Sequence, residues 1–477
     1  MQKIKILPTL LLILLGIYLT TYCLQHNPSS WFDEGIYIQI ANNFAAQNKM
    51  AVQTAPGVFE PLTIISVGYP VFYTTAVFYK VLGVGFIQAR YVAVFFLLLF
   101  IITFFFLNKS LYNKKIATLS TFLLIFFAPL YGNGRNLLGD IPGLFFMTAG
   151  LLSFFYWEKE NFQHKKHAIL AGLNFGLAAA TKPNFLVLGG GILLTLFISK
   201  KKIKKKISQV SLFIVSGLIP FFWWFYTQFN SINAFRSALA HYSNPYAKDN
   251  ISELIIQNLF RFFTESTPIH FTILLLFLIA AVILHFKQYK KISGTKIIIY
   301  FFIVFTFLSY LRTPGWYRYF FMAHIWLIFT FVHSLDTLLQ TKHKQNAYKF
   351  STGAVLVLIT IQGFHLFKTD MSCHESSIDH GTKFMNDWVE EKDNVLLVNT
   401  PELTARLNSH HYYQYLEINQ KIKLGKEQLE FTKQNMYNKI ILRDNELNPL
   451  YQNMEFYELK EKIGSYEFYQ IKQMCHL

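Results

Sequence analysis

Long apolar stretches fill the first three quarters of the chain, broken by short polar segments. A membrane-spanning helix needs about 20 apolar residues. About eleven stretches approach that length: 4–24, 91–108, 116–131, 140–157, 167–181, 184–199, 207–227, 269–286, 297–311, 319–339 and 350–367. Only Lys182-Pro183-Asn184 separates 167–181 from 184–199, which predicts a tight helical hairpin, since proline rarely continues a helix. Lys3 and Lys5 precede the first stretch and no small-residue cleavage site follows it, so it reads as an uncleaved anchor. From residue 368 the pattern changes. Asn394-Val395-Leu396-Leu397-Val398 and Lys439-Ile440-Ile441-Leu442 read as strands, and helical patterns lie near Lys383–Glu391 and Ala405–Leu416. The predicted fold is a polytopic all-α membrane domain over 1–367, with a small α/β domain over 368–477.

Composition agrees. Hydrophobic residues make up 53% of the 477 and charged residues 15%, against about 25% charged in soluble domains. That excludes a soluble enzyme, a disordered chain and a coiled coil. The net charge of +17 would suit a nucleic-acid binder, but its distribution decides otherwise. Of 31 Lys and Arg before residue 368, 21 fall in alternate loops, including six between Lys200 and Lys206. Those loops are cytoplasmic by the positive-inside rule. The N-terminus is then cytoplasmic and the tail, with 13 basic and 17 acidic residues, is outside. No internal repeat stands out. Cys373 and Cys475 flank the tail and could close it by a disulfide in an oxidising compartment, or remain two free thiols. Cys23 reads as a packing residue of the first span.

Polar residues beside a bilayer are costly and are read first as function. Here they gather on the outer side. The loop 25–90 opens with Trp31-Phe32-Asp33-Glu34 and continues as an amphipathic helix, Ile36, Ile40 and Phe44 opposite Gln39, Asn42 and Asn43, suited to lying flat on the membrane. Asp33 could equally be the cap of that helix. A second outer loop holds Arg135 and Asp140, the latter a cap candidate before Pro142. A late loop holds Arg312, Trp316, Tyr317, Arg318 and Tyr319. Arginine matches phosphate oxygens bidentately, though such a loop could also be an aromatic belt with arginines reaching lipid headgroups. Lys182 is a third phosphate candidate. His241 with Glu60 is a weaker metal candidate than a solvated or packed histidine.

In order and spacing these motifs resemble the GT-C glycosyltransferases, especially protein O-mannosyltransferases and bacterial lipid A aminoarabinose transferases. The resemblance covers residues 1–370. It rests on Trp31-Phe32-Asp33-Glu34, Gly68-Tyr69-Pro70, Leu82-Gly83, Arg90, Arg135-Asn136-Leu137-Leu138-Gly139-Asp140, the small-residue helix Gly172 to Thr181-Lys182, and Tyr317-Arg318-Tyr319. It implies transfer of a sugar from a polyprenyl phosphate to an acceptor lipid, glycan or protein, with inversion, at the outer face of a bacterial cytoplasmic membrane. Asp33 would be the catalytic base. Glu34 and Asp140 would orient the acceptor or a divalent cation; no cofactor is firmly implied. Lys182, Arg318, Arg135 and Arg312 would bind the donor phosphate, with Trp31, Tyr69, Trp316, Tyr317 and Tyr319 lining the pocket. Nucleic acid is not an expected partner. The chain departs from the aminoarabinose pattern in lacking a Lys-Pro-Pro stretch late in the first loop, and from the mannosyltransferases in lacking their large insert. A non-catalytic flippase or transporter of lipid-linked glycan would want charges along a path through the bundle, and an O-antigen polymerase or ligase would not need the Asp33-Glu34 start.

Overall fold

The computed structural model describes residues 7–62, 66–199, 206–229, 231–243, 250–289, 292–341, 346–369, 371, 373–409, 411–418, 422–431, 437–443, 454 and 456–472. Cys475, Lys248, most of the Lys200–Lys206 run and the His241 side chain lie outside this description. The helical part comprises α1 (Leu7–Thr21), α2 (Phe32–Gln47), the hairpin β1 (Val52–Ala55) and β2 (Val58–Glu60), α3 (Tyr69–Leu82), α4 (Phe86–Leu111), α5 (Lys114–Ile125), α6 (Pro129–Gly134), α7 (Asp140–Lys159), α8 (Lys165–Thr181), α9 (Leu188–Ile198), α10 (Ile207–Gln228), α11 (Ile232–Ser243), α12 (Ile251–Thr264), α13 (Ser266–Tyr289), α14 (Gly294–Tyr310), α15 (Phe321–Gln340) and α16 (Ala347–Thr369).

Among the described residues the predicted stretches are largely helical, but 116–131 is broken at Phe126-Phe127 into α5 and α6. Among the described residues, five helices are long and apolar enough to cross a membrane: α4, α10, α13, α15 and α16. α15 is buried around most of its surface and forms the bundle centre. α8 packs on α10 through Gly172 and Gly176, where a Cβ would come within 2.1 Å of the Phe213 and Gly217 carbonyl oxygens. Small residues allow such close approach of two backbones. The break at Lys182-Pro183 is present, but α8 packs on α7 and α10 while α9 packs on α14. The two arms thus diverge instead of forming a tight hairpin, because each has a larger apolar face to cover elsewhere.

The C-terminal domain contains α17 (Ser377–Trp388), β3 (Val395–Val398), α18 (Pro401–Thr404), β4 (Tyr412–Ile418), β5 (Ile422–Leu424), α19 (Lys426–Phe431), β6 (Lys439–Arg443), β7 (Tyr457–Ile463) and β8 (Tyr466–Ile471). Sheet order is β5-β4-β3-β6-β8-β7. β3 runs parallel to both β4 and β6, and the other pairs are antiparallel. All four β3 residues are buried, Val395 and Leu397 in one apolar core and Leu396 and Val398 in another. The helix predicted over Ala405–Leu416 is corrected: Tyr412-Tyr413-Gln414-Tyr415 form strand β4. Tyrosine-rich segments favour the pleated surface, and pairing along β3 supplies it.

Two further expectations change. α2 does not lie with a polar face in water. Gln39 donates to the Pro401 carbonyl (3.1 Å) and Asn43 to the Ala51 carbonyl (2.8 Å), so the C-terminal domain and the β1–β2 hairpin cover that face. At Gly35 a Cβ would sit 2.4 Å from the Glu402 nitrogen, so only glycine permits this approach of α2 to α18. Cys373 is bonded to Cys23, Cα atoms 5.7 Å apart across 350 residues, and not to Cys475. Tertiary docking decides the pairing: the segment after α1 lies against the domain entrance, where His26 also approaches Asp379 (3.3 Å).

Non-reducing peptide mapping should recover the Cys23 and Cys373 peptides as one cross-linked species that separates on reduction. At the same junction Arg406 donates to Asp379 (2.8 Å) and stacks on Phe86 (3.6 Å). Burial pushes the Asp379 carboxyl up, but hydrogen bonds from the Ser376 backbone and hydroxyl and from Arg406 outweigh it and hold the group below the usual range. A depressed carboxylate stabilises above its unfolded value of about 4 and loses that contribution as pH falls through the folded value. Asp379→Asn should therefore lower the thermal midpoint at pH 7 by roughly 2 kcal/mol equivalent, with the gap to wild type closing in scans taken progressively below pH 4.

Candidate active site

Asp33 and Glu34 are adjacent in the first turn of α2, so their side chains leave the helix about 100° apart. Glu34 points inward and is fully buried, as is Arg90 of α4. Arg90 Nε donates to Glu34 Oε1 (3.0 Å) and Nη2 to Oε2 (2.9 Å). Arg90 also donates to the Leu24 carbonyl (2.8 Å) and Asn136 Oδ1 (2.8 Å), and Leu137 N donates to Glu34 (3.1 Å). This network ties the end of α1, α2, α4 and the 136–137 loop together. The capping alternative for Asp33 does not hold: the cap position is Trp31, without a side-chain cap bond.

Asp33 instead faces a cavity of about 1300 Å³ at the mouth of the helical bundle. Trp31, Asp33, Asp140, Lys182, Arg312, Trp316, Tyr317, Arg318 and Tyr319 all line it. Arg318 donates to Asp33 Oδ2 (2.6 Å) and lies over the Trp31, Trp316 and Tyr319 rings at 5.2–5.5 Å. Burial alone would lower the Arg318 guanidinium, but Asp33 and Tyr319 beside it hold it above its ordinary value. Lys182, at the end of α8, donates to both Asp140 oxygens at 2.7 Å. Arg312 is exposed and, among the described residues, has no ion-pair partner.

Three predicted site residues do not line the cavity. Glu34 is engaged as described. Arg135 is buried, donating to the Tyr22 carbonyl (2.8 Å) and Asn27 (3.3 Å). Tyr69 packs on Tyr73, ring centres 5.2 Å apart, beside the Trp224 cluster, and burial pushes its hydroxyl up to about 12. Asp33, Asp140 and Glu34 each hold a cationic partner, Glu60 accepts from Gly425 N (2.9 Å), and among the described residues no group of three metal-type ligands occurs.

Other residues were not anticipated. Asn258 donates to the Leu311 (3.1 Å) and Thr313 (2.8 Å) carbonyls and Arg261 to that of Gly315, whose φ of +84° suits glycine; together they hold the arginine loop in shape. Tyr317 turns its hydroxyl away to His324 Nδ1 (3.2 Å), and the Nε2 of the same ring bonds His270 Nδ1 (2.9 Å). Glu417 and Arg443 of the C-terminal domain also line the cavity. No spacing in the sequence singles these out.

Residues 67–224 match the family model described as dolichyl-phosphate-mannose-protein mannosyltransferase. Among solved structures, ArnT from Cupriavidus metallidurans bound to undecaprenyl phosphate superposes with a TM-score of 0.66, at 11% identity, over 97% of each chain. The archaeal oligosaccharyltransferase AglB from Archaeoglobus fulgidus, in complex with an inhibitory peptide and a dolichol-phosphate, superposes with a TM-score of 0.54, at 9% identity, over 98% of this chain and 74% of that one. This protein has the GT-C fold. No curated protein matches it by sequence. The GT-C likeness extends through the C-terminal domain as well as the bundle, since the superposition on ArnT spans nearly the whole chain.

The two adjacent acids should separate cleanly in stability. Glu34→Gln leaves Arg90 buried without its counter-charge, at a cost of about 3–5 kcal/mol, read as a large fall in thermal midpoint in detergent. Asp33 is 34% exposed at its side chain, and Asp33→Asn should change stability by less than about 1 kcal/mol.

Proposed function

We propose that the protein is an integral membrane glycosyltransferase that moves a sugar from a polyprenyl-phosphate donor to an acceptor, with inversion, at the outer face of a bacterial cytoplasmic membrane. The observation that carries this is the meeting of Asp33 with Arg318 in a large cavity whose rim also holds Arg312. ArnT, of similar fold, binds undecaprenyl phosphate, and the cationic, aromatic rim here suits the same headgroup. The basic loops mark the opposite side as cytoplasmic, and the Cys23–Cys373 bond beside the domain entrance fits an oxidising outer compartment.

In the step envisaged, Asp33 takes the proton of the acceptor hydroxyl. The hydroxyl oxygen bonds to the anomeric carbon as the bond from that carbon to phosphate oxygen breaks. The electron pair leaves with the lipid phosphate, whose charge Arg318 and Arg312 neutralise. Such placed charge is commonly the largest contribution to rate. A phosphate arriving at Arg318 competes with Asp33 and leaves the carboxylate a stronger base at the moment it is needed. Lys182, held by Asp140, supplies a further positive edge.

Membranes carrying wild type should transfer radiolabelled sugar from undecaprenyl phosphate. Asp33→Asn, inserted equally, should lose roughly 10²–10⁴-fold in rate. Equal transfer by both would reduce Asp33 to an ordinary first-turn residue.

A further inference from the structure

The parallel part of the C-terminal sheet ends at the cavity. In register, Val398 of β3 lies opposite Tyr415 of β4 on one side and Leu442 of β6 on the other. The carboxyl ends of the three strands therefore emerge along one edge, and from it Glu417 and Arg443 line the cavity. Ligands of open α/β sheets bind outside this carboxyl edge. Glu417 and Arg443 are two strand spacings apart, roughly 10 Å, a gap that a sugar residue or a disaccharide can bridge.

The charges on this edge are compensated from behind. Arg443 Nη2 donates to Glu402, which is fully buried and also accepts from the Tyr466 hydroxyl (2.6 Å). Arg443 lies over Phe32, another cavity residue, at 5.5 Å. Glu417 accepts from the Tyr415 hydroxyl (2.9 Å), lies 3.4 Å from Lys423, and its backbone nitrogen donates to Asn399 (2.7 Å). The edge thus presents a fixed donor fork and a fixed acceptor with little net charge. Glu402 is fully buried behind Arg443, whereas the Asp33 side chain that holds Arg318 is 34% exposed, so this edge has no carboxylate that an arriving phosphate could readily displace. Aimed donors and acceptors of balanced charge beside an aromatic ring suit hydroxyl groups instead.

We propose that this edge is the acceptor subsite and that it takes an uncharged, polyhydroxylated head, a glycan or the sugar of a glycolipid. The proposal rests on the glycosyl-transfer reading for the word acceptor, but the binding site stands on its own geometry. The subsite is held rigidly over Asp33, because α18, which carries Glu402, packs backbone to backbone on Gly35 of α2.

The test uses the full chain in nanodiscs and saturation-transfer NMR. Neutral probes are galactose, N-acetylglucosamine and lactose; anionic probes are glycerol 3-phosphate and glucuronate. Undecaprenyl phosphate binding is measured in the same samples. Neutral sugars should bind wild type, and Glu417→Gln and Arg443→Lys should each weaken them by about tenfold, the loss expected for one hydrogen bond to a charged group. Undecaprenyl phosphate affinity should stay within about twofold. Glu417 is only half-buried, so its variant remains informative if Arg443→Lys fails to fold. Neutral sugars binding wild type and Glu417→Gln alike, binding of anionic probes only, or no sugar binding by a protein that still binds undecaprenyl phosphate would each overturn the subsite. Sugar binding lost in Glu417→Gln, in a protein that never binds undecaprenyl phosphate, would support the subsite and overturn the donor reading.

Discussion

Arg90 and Glu34 are two full charges held without water, and the placement of every other polar group at the bundle mouth depends on them. Removing such ions from solvent costs several kcal/mol each and is tolerated only when the geometry satisfies both. Here the guanidinium fork meets both carboxylate oxygens, and its remaining donors reach Leu24 and Asn136. Four chain segments distant in sequence are thereby fixed to one another. The consequence for chemistry follows from helix geometry: with Glu34 locked inward, its neighbour Asp33 has one direction left, toward the cavity.

The cavity is composite. α2 supplies the carboxylate, the end of α8 a lysine, the loop before α15 two arginines and their aromatic neighbours, and the C-terminal sheet its roof. None of these pieces closes the space alone. The domain is seated by the Gly35 contact, by Gln39 and Glu60, by Arg406 on Phe86, and covalently through Cys23–Cys373. Rigid seating matters because the productive geometry of a transfer site tolerates displacements of only about 1 Å.

Around the cavity, charge is arranged by contrast. Asp33 with Arg318, Asp140 with Lys182 and, behind the wall, Glu402 with Arg443 are carboxylate–cation pairs, whereas Arg312 has no ion-pair partner among the described residues. Paired carboxylates hold the arginines and the lysine in extended, pre-aimed positions in a partly desolvated site. An incoming phosphate then exchanges one anion for another at a guanidinium already in place, which limits the ordering cost of binding.

Much of this was legible in the chain. Apolar runs marked the main helices of the bundle, the break at Lys182-Pro183 was visible, and the grouping of Asp33, Asp140, Lys182, Arg312 and Arg318 was readable because charges beside a bilayer are rare and must be explained. Local pattern could not tell Asp33 from Glu34, since both occupy one helical turn and only the partner across the bundle separates them. It misread Ala405–Leu416, where pairing with β3 overrides local preference, and it did not foresee the Cys23–Cys373 bond, since pairing depends on which distant segments meet. Arg135 and Tyr69 look like site residues in sequence, but in space neither lines the cavity. Sequence by itself determined the long apolar helices and the inventory of charges, all properties of short windows. Tertiary structure alone decided which acid faces the cavity, which cations remain open and that the C-terminal sheet roofs the site, because each of these is a contact between residues up to several hundred positions apart.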